Sequence, residues 1–513
     1  MEGNRTQTAV YPAVIRNLNQ QLTEQILENA LKLGIQEFCY CAGSRNSPLV
    51  IALLNLKNQH PHIQLYSWFE ERSAAFFALG CSRRLNRPVA VITTSGTACG
   101  ELLPATMEAY YTGVPLLLIT ADRPRRFRGS GAPQSVEQVN LFGVYTPFFQ
   151  DLEGDECCSL LDWNQKSPAH LNICFEDPKG KEMIEKGIPS FFDSVQDFLD
   201  KSSFPFVVVS TLKKREQEPV KQFLLSLQAP VYLEAISGLR EDPELQVIRI
   251  HCTDHLLQRA KDNDYPIDGV LRLGGVPTVR FWRDLEDLAG EIPVCNINHI
   301  SFSGLSWADS LVGSMEILLP NEVYRKECSK LWLQEDRKAH EVIQKSLTKH
   351  PQKEMNLFRK LSERIPKGAF VYLGNSLPIR EWDCAATSEF RNYRIEANRG
   401  ANGIDGQIST FLGLCEKGSH NNWCIIGDLT ALYDMAAPWV LQQMKETTVH
   451  LVVVNNGGGK IFEKMYSQPE FQNNHQISFE PLARLWGLHY EKWEDIPLNI
   501  GSNGNSLFEL IPC

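Results

Sequence analysis

Two apolar runs near the end of this 513-residue chain stop at groups that could bind an ion. Trp423-Cys424-Ile425-Ile426 ends at Gly427-Asp428, and His450 to Val454 ends at Asn455-Asn456-Gly457-Gly458-Gly459. A helix-like stretch lies between them. Parallel strands joined by a helix end on the same edge of a sheet. The spacing therefore predicts that the Asp428 carboxylate, the Asn456 amide oxygen and the Gly458 backbone carbonyl meet in one place. Such an all-oxygen set suits a hard divalent cation, Mg²⁺ or Mn²⁺, which also takes phosphate oxygens. Glycines at the strand end let the backbone approach phosphates closely. An ordinary crossover with polar strand ends gives the same local pattern, so this segment alone leaves both readings open.

Two further sets of residues could do chemistry. Glu71 stands in Phe69-Glu70-Glu71-Arg72-Ser73-Ala74-Ala75. Walled by Phe69 and the small Ala74 and Ala75, it could be buried enough to hold a raised pKa and exchange a proton. The plain alternative is a solvated surface turn. Arg45, Arg123, Arg380 and Arg399 each stand at or just beyond a predicted strand end. Arginine recognises carboxylates through two parallel hydrogen bonds. Several of them in an acidic chain suggest one or two substrates with several carboxylates; surface ion pairs are the alternative for each.

The elements that would position these residues repeat. Leu18 to Leu33 has helical periodicity, Glu37 to Tyr40 reads as a strand ending at Gly43-Ser44-Arg45, and Ile63 to Phe69 as a strand ending at Glu70-Glu71. Ser73 to Leu85 is helical, Val89 to Thr93 precedes Thr94-Ser95-Gly96-Thr97-Ala98, and Pro115 to Thr120 precedes Ala121-Asp122-Arg123-Pro124. Strand, turn and helix in repetition mark a doubly wound parallel sheet. The polar residues follow the strands, at the edge where such sheets bind ligands. Phe175 to Phe204 is expected to be a linker. Phe206 to Ser210, Val231 to Leu233, Val270 to Leu273 and Pro293 to Ile297 predict a second α/β unit. Tyr324 to His350 predicts a solvated connecting helix. A third unit begins near Glu354, with strands at Ala369 to Leu373, Arg394 to Glu396, Trp423 to Ile426 and His450 to Val454. The fold class is thus α/β, with three doubly wound parallel-sheet domains, two of them related by duplication.

Composition narrows the function. Hydrophobic residues make up 43% and charged residues 22%, as in ordinary globular proteins. A net charge of −10 argues against nucleic-acid binding. No apolar run is long enough for a membrane span, and Met1-Glu2-Gly3-Asn4-Arg5 carries no signal-like stretch, so a cytoplasmic protein is expected. The 14 cysteines lack zinc-like spacing and read as reduced thiols. His251 and His255 could share a helical face, but no further cluster completes a site. No Gly-x-Gly-x-x-Gly follows the first strand, which argues against a nicotinamide dehydrogenase.

The Gly427-Asp428 to Asn456 spacing resembles that of the thiamine diphosphate enzymes. Further strings fall in order: Gly43-Ser44-Arg45, Phe69-Glu70-Glu71-Arg72, Thr94-Ser95-Gly96-Thr97-Ala98 and Thr120-Ala121-Asp122-Arg123-Pro124. Then come Gly374-Asn375-Ser376-Leu377, Asn398-Arg399-Gly400-Ala401-Asn402-Gly403-Ile404-Asp405-Gly406 and Gly427-Asp428-Leu429-Thr430-Ala431-Leu432-Tyr433-Asp434. With these, essentially the whole chain resembles the 2-succinyl-5-enolpyruvyl-6-hydroxy-3-cyclohexene-1-carboxylate synthase family of menaquinone biosynthesis. Leu429 in place of a third glycine is a trait of that family.

The resemblance implies the thiamine-diphosphate-binding fold: a pyrimidine-binding domain over residues 1–185, a central domain over 200–335 and a diphosphate- and metal-binding domain over 352–513. It implies loss of CO₂ from 2-oxoglutarate and 1,4-addition of the resulting succinyl carbanion to isochorismate. Glu71 would activate the cofactor, and Ile404 would be the wedge that bends it. Thr94, Gly96, Gly427, Leu429, Ile461 and Phe462 would line the cofactor, with Phe462 near the reacting carbon. Asp428, Asn456 and Gly458 would hold Mg²⁺ or Mn²⁺. Ser44, Arg45, Arg123, Gln134, Arg280, Ser376, Arg380 and Arg399 would form the substrate shell, Arg399 closest to the cofactor. No histidine pair in these strings offers a fast proton donor, which suits carboligation over simple decarboxylation. Another thiamine-dependent carboligase and a non-catalytic relative are the alternatives; the arginine set argues against the first, intact Glu71 and Asp428 against the second. The two acids fall in different domains, which implies a homodimer or homotetramer with active sites at the subunit interface. Three departures stand out. Pro133 occupies a position where Asn commonly precedes the Gln, and Val279 leaves Arg280 without a neighbouring Lys. The chain also ends soon after Leu507-Phe508-Glu509-Leu510, an end expected to pack less well.

Overall fold

A computed structural model describes residues 7–176, 192–252, 267–287, 291–300, 303–320, 330–349, 352–463, 465–466, 468–501 and 504–513. They form three six-stranded sheets in which every pairing is parallel. The first contains β1 (Glu37–Cys41), β2 (Gln64–Trp68), β3 (Val89–Thr93), β4 (Leu116–Asp122), β5 (Phe148–Glu153) and β6 (Ala169–Cys174). The second contains β7 (Pro205–Val209), β8 (Val231–Leu233), β9 (Arg249–Ile250), β10 (Gly269–Leu273), β11 (Val294–Asn298) and β12 (Ser310–Val312). The third contains β13 (Phe370–Leu373), β14 (Arg394–Glu396), β15 (Asn422–Gly427), β16 (Val449–Val454), β17 (His489–Trp493) and β18 (Ser506–Leu510).

Strand order follows one scheme twice. The first sheet runs β2-β1-β3-β4-β6-β5 and the third β14-β13-β15-β16-β18-β17, the same permutation, as duplication predicts. The second runs β12-β11-β10-β7-β8-β9, the doubly wound order 3-2-1-4-5-6 read backwards. The direction of winding reverses between β1 and β3, between β7 and β10, and between β13 and β15; in the first and third sheets it reverses again at the edge pairs β5–β6 and β17–β18. Ligands of open parallel sheets bind at such switch points.

Both faces of each sheet are covered. Phe38 and Tyr40 enter one core while Cys39 and Cys41 enter another. Val207 and Val209 oppose Phe206 and Val208 in the same way, as do Val371 and Leu373 against Phe370 and Tyr372. Alternate side chains of a strand point to opposite faces, so strands buried on both sides must be apolar throughout. Val89–Thr93 and Val449–Val454 are buried at every position. The chain divides into two compact units. One holds the first sheet with Ala401–Gly403 and Phe462–Asn474, and the other holds the second and third sheets.

Several expectations change. The stretch expected as a linker contains a helix, Val195–Lys201, capped by Ser194 and anchored by buried Val195, Phe198 and Leu199; residues 177–191 lie outside the described part. The helix expected to be solvated is described over Lys330–Lys349 and is docked instead. Its Trp332 and Asp336 are buried, and Asp336 accepts the backbone N–H groups of His251 and Cys252. The C-terminal segment is well packed: β18 lies between β16 and β17 and is buried throughout. His255 lies outside the described residues, and His251 meets Asp336 at 3.0 Å and the ring of His340. Among the described residues no group of three or more His, Cys, Asp or Glu side chains is placed to hold a metal ion, no disulfide is formed, and no helix is long and apolar enough to cross a membrane.

Candidate active site

The third sheet brings the oxygen set together. Gly427 of β15 is level with Val454 of β16, so Asp428 and Asn456 leave the sheet at the same edge. Asp428 is only 2% exposed. Its Oδ1 accepts the Leu429 N–H at 2.7 Å, and its Oδ2 accepts those of Gly457 and Gly458 at 2.9 Å. Gly457 (φ +79°) and Gly458 (φ +138°) adopt conformations that favour glycine. Burial pushes the Asp428 carboxyl up, against the pull of His475 and these N–H groups. A cation would reverse that balance.

Asn456 tests whether an ion fits. Its Nδ2 donates to Glu354 Oε2 at 3.0 Å, whereas its Oδ1 is shielded from solvent and has no hydrogen-bond partner. A buried acceptor without a donor costs about 1–3 kcal/mol. An oxygen-seeking cation beside a buried carboxylate would satisfy it, so the residues fit the metal that the resemblance implies. His475, which no motif marks, closes the other side. Its N–H donates to the Gly457 carbonyl at 3.1 Å, and its Nε2 lies 3.3 Å from Asp428 Oδ2. It is a single histidine at the ion site, not a pair. Leu429 and Ile461 are half-buried nearby in sequence.

The β13 switch point positions two arginines of the same unit. A Cβ on Gly374 would lie 2.9 Å from Ile426 Cγ2, so the turn sits directly on the neighbouring strand. Ser376 follows at φ +73°, a strained conformation of the kind stored at functional sites, and begins the helix Leu377–Ala385. Asn375 takes its N–H to Gln407 Oε1 and its Nδ2 to the Asn398 carbonyl, both at 2.9 Å. Its Oδ1 accepts Arg399 Nη1 at 2.7 Å. Arg399 Nε is buried with no partner. Arg380 donates to the Ser376 carbonyl, and its pKa is brought down to about 10 by burial and then by Arg399 and Arg283. Among the described residues neither Arg380 nor Arg399 makes an ion pair. The acids that act on both are Glu234, fully buried at the end of β8, and Asp383, and burial raises both. Arg280 is exposed and pairs with Asp284; Arg283, one turn on, is the guanidinium of that helix that acts on Arg380. Ile404 is half-buried ahead of the helix Gln407–Leu414.

The first unit places its residues at the β1–β3 switch point. Glu71 begins the helix Glu71–Leu85, but Glu70 does the capping, accepting the N–H groups of Arg72 and Ser73. Glu71 is thereby left to face inward, 8% exposed, with the Thr93 hydroxyl donating to its Oε1 at 3.5 Å. The solvated-turn alternative does not hold. Asn46, fully buried, pins the Gly43-Ser44-Arg45 turn from both ends, accepting the Gly43 N–H and donating to the Cys41 carbonyl, each at 2.8 Å. Ser44 meets the Tyr466 hydroxyl at 3.1 Å, and Arg45 donates to the Phe175 carbonyl. Arg123 grips the Pro133 carbonyl through Nε at 3.0 Å and Nη2 at 2.9 Å. That bond uses backbone, so the Pro133 departure leaves it intact. Phe462 packs against this unit's core beside Tyr466.

Two close approaches hold Thr94, Gly96 and Gln134. A Cβ on Gly43 would fall 2.6 Å from Thr94 Cβ, and one on Gly96 (φ +91°) would fall 3.1 Å from Gln134 Cβ. The Gly96 N–H donates to Gln138, whose amide continues through Asn172 to Thr120 and His170 in a buried polar chain. Sequence reading missed Asn46, Gln138 and this chain, because nothing local marks them. Gly96→Ala is expected to lower stability by about 1–3 kcal/mol, through backbone strain and the clash with Gln134. Thermal unfolding would check it; an unchanged Tm would refute the contact.

Residues 20–141 match the family described as thiamine pyrophosphate enzyme, N-terminal TPP binding domain. The 2-succinyl-5-enolpyruvyl-6-hydroxy-3-cyclohexene-1-carboxylate synthase of Bdellovibrio bacteriovorus is 41% identical over 501 residues, covering 93% of each chain. The protein of the same name from Akkermansia muciniphila is 38% identical over 515 residues, again 93% of each. That from Staphylococcus epidermidis is 30% identical over 553 residues, 96% of this chain and 95% of its own. With similarity sustained along almost the whole length, and with switch points that carry the matching strings, the chain belongs to the thiamine diphosphate-dependent 2-succinyl-5-enolpyruvyl-6-hydroxy-3-cyclohexene-1-carboxylate synthase family.

Proposed function

We propose that the chain joins the four-carbon unit of 2-oxoglutarate, after loss of CO₂, to isochorismate in a 1,4-addition of menaquinone biosynthesis. The observation that carries this reading is the buried pair Arg380 and Arg399. Two guanidiniums held together away from water disfavour each other's charge. Neither has an ion-pair partner among the described residues, and Arg399 keeps an unused N–H inside the protein. The nearby acids, Asp383 near a pKa of about 7 and Glu234 raised by burial, neutralise them only in part. An anionic substrate supplies what is missing, and both proposed substrates carry two carboxylates.

In this reading the bound cofactor supplies the nucleophilic carbon and the electron sink for decarboxylation. Glu71 holds and returns the proton that sets the protonation state of the aminopyrimidine. Asp428, Asn456 and the Gly458 carbonyl would hold Mg²⁺ or Mn²⁺. Gly427, Leu429, Thr94, Gly96, Ile461 and Phe462 would line the cofactor, and Ile404 would support it. Ser44, Arg45, Arg123, Gln134, Arg280 and Ser376 are the further residues we assign to substrate binding, with Arg380 and Arg399. We infer pyrimidine-binding (1–185), central (200–335) and diphosphate-binding (352–513) domains, a reading supported by one six-stranded sheet in each range. Glu71 and Asp428 belong to different sheets, and we infer that they reach one cofactor from two copies of the chain, in a cytoplasmic homodimer or homotetramer.

The test is consumption of both substrates with thiamine diphosphate and Mg²⁺. Coupled loss of 2-oxoglutarate and isochorismate is expected; succinic semialdehyde as the main product would overturn the carboligation. Arg399→Lys keeps the charge but loses the planar fork, and is expected to raise KM for a dicarboxylate substrate by about tenfold, roughly 1.4 kcal/mol of binding. Steady-state kinetics with each substrate varied in turn would show it.

A further inference from the structure

The carboxylate that holds Asn456 belongs to no string that marks the family. Glu354 begins the helix Glu354–Arg364, far from Asn456 in sequence, and takes the Asn456 Nδ2–H on Oε2 at 3.0 Å. Glu354 Oε1 is shielded from solvent, and the Glu354 carboxyl is hydrogen-bonded to that of Glu381. Behind it stands Glu381, on the helix Leu377–Ala385 and next to Arg380, with its own Oε2 equally shielded. Burial and the neighbouring Glu354 carboxyl raise the pKa of Glu381, and burial raises that of Glu354 as well.

An asparagine amide is nearly symmetric in shape but opposite in polarity at its two ends. Turned over, Asn456 would aim an NH₂ group at a cation. A carboxylate accepts and never donates when ionised, so it can bond only the NH₂ end. We propose that Glu354 is a positioning residue that selects the Asn456 orientation in which the amide oxygen faces the cation, with Glu381 bracing it from the substrate-arginine helix. This rests on the reading of Asn456 as a metal ligand. Groups behind a ligand commonly set its orientation, and their loss weakens metal binding.

The test is Mn²⁺ binding in the presence of thiamine diphosphate, followed by the electron paramagnetic resonance signal of the free ion. Glu354→Met has similar bulk and no acceptor; it is expected to weaken Mn²⁺ binding by about 10–100-fold. Glu354→Gln can pair with either end of the Asn456 amide, leaving about half the population correctly turned, and is expected to weaken binding only about two- to threefold, because a partner is kept and charge is not the requirement. Thermal unfolding without the ion would show that both variants fold. Glu354→Met binding normally while Asn456→Ala binds weakly would overturn the proposal alone. Asn456→Ala binding normally would remove the ligand reading and the proposal with it. Equal weakening by Met and Gln would mean that charge acts, not orientation, and would also overturn it.

Discussion

Glu71→Gln is expected to lower kcat by about 10²- to 10⁴-fold, the range for loss of a positioned acid–base group, while the affinity for thiamine diphosphate changes little. The reason lies in the division of labour at the end of β2. Glu70 satisfies the free N–H groups at the start of the helix, work that would otherwise fall to Glu71. Glu71 is turned inward among Ala74, Ala75 and Ala78, all fully buried. Glutamine keeps that shape and can keep the contact with Thr93, but it cannot give up and recover a proton. Consumption of 2-oxoglutarate and isochorismate would be compared with cofactor binding in the same preparation. Turnover within a few-fold of the parent chain would remove Glu71 from the proposed mechanism.

What could be read in advance follows from how each residue is held. Strands buried on both faces announce themselves as apolar runs, and β3 and β8 fall at the expected residues; so does the edge strand β14, although it is only partly buried. β6 did not, because His170 and Asn172 interrupt it; their polarity is answered by Thr120 and Gln138 from elsewhere in the unit, which no local pattern records. β5 and β17 lie at sheet edges and are only partly buried, while β9 and β12 are edge strands of two and three residues. The ion-binding residues were legible because level strand ends bring Asp428 and Asn456 together by backbone geometry alone. Glu234, Glu354, Glu381 and His475 were not, since each reaches its place from a separate element. Arg283 was hidden by helical geometry: it lies one turn from Arg280, the residue that sequence reading favours.

Asp428→Ala is expected to be the most damaging single change to cofactor retention. The carboxylate organises Leu429, Gly457 and Gly458 through three backbone N–H groups and is the only proposed metal ligand that carries charge. Changes behind a ligand already cost about 10–100-fold in metal affinity, so loss of the charged ligand should cost at least ~100-fold. Equilibrium dialysis of thiamine diphosphate with Mg²⁺ would measure it; retention near that of the parent chain would mean that the cation is held elsewhere. The same variant tests how the proposed site is shared. Asp428→Ala and Glu71→Gln are each expected to be inactive alone. If one site takes its acid from one copy and its metal ligands from another, a mixed pair contains one fully intact site and one doubly damaged site. Random re-pairing of equal amounts then gives about half mixed pairs and about a quarter of the parent activity. Recovery on mixing would be the sign of a shared site, because no exchange between copies can restore a chain that must supply both groups itself. If denatured and refolded mixtures stay as inactive as their components, Glu71 and Asp428 must act from the same chain, and the subunit-interface reading fails while the two single-variant results stand.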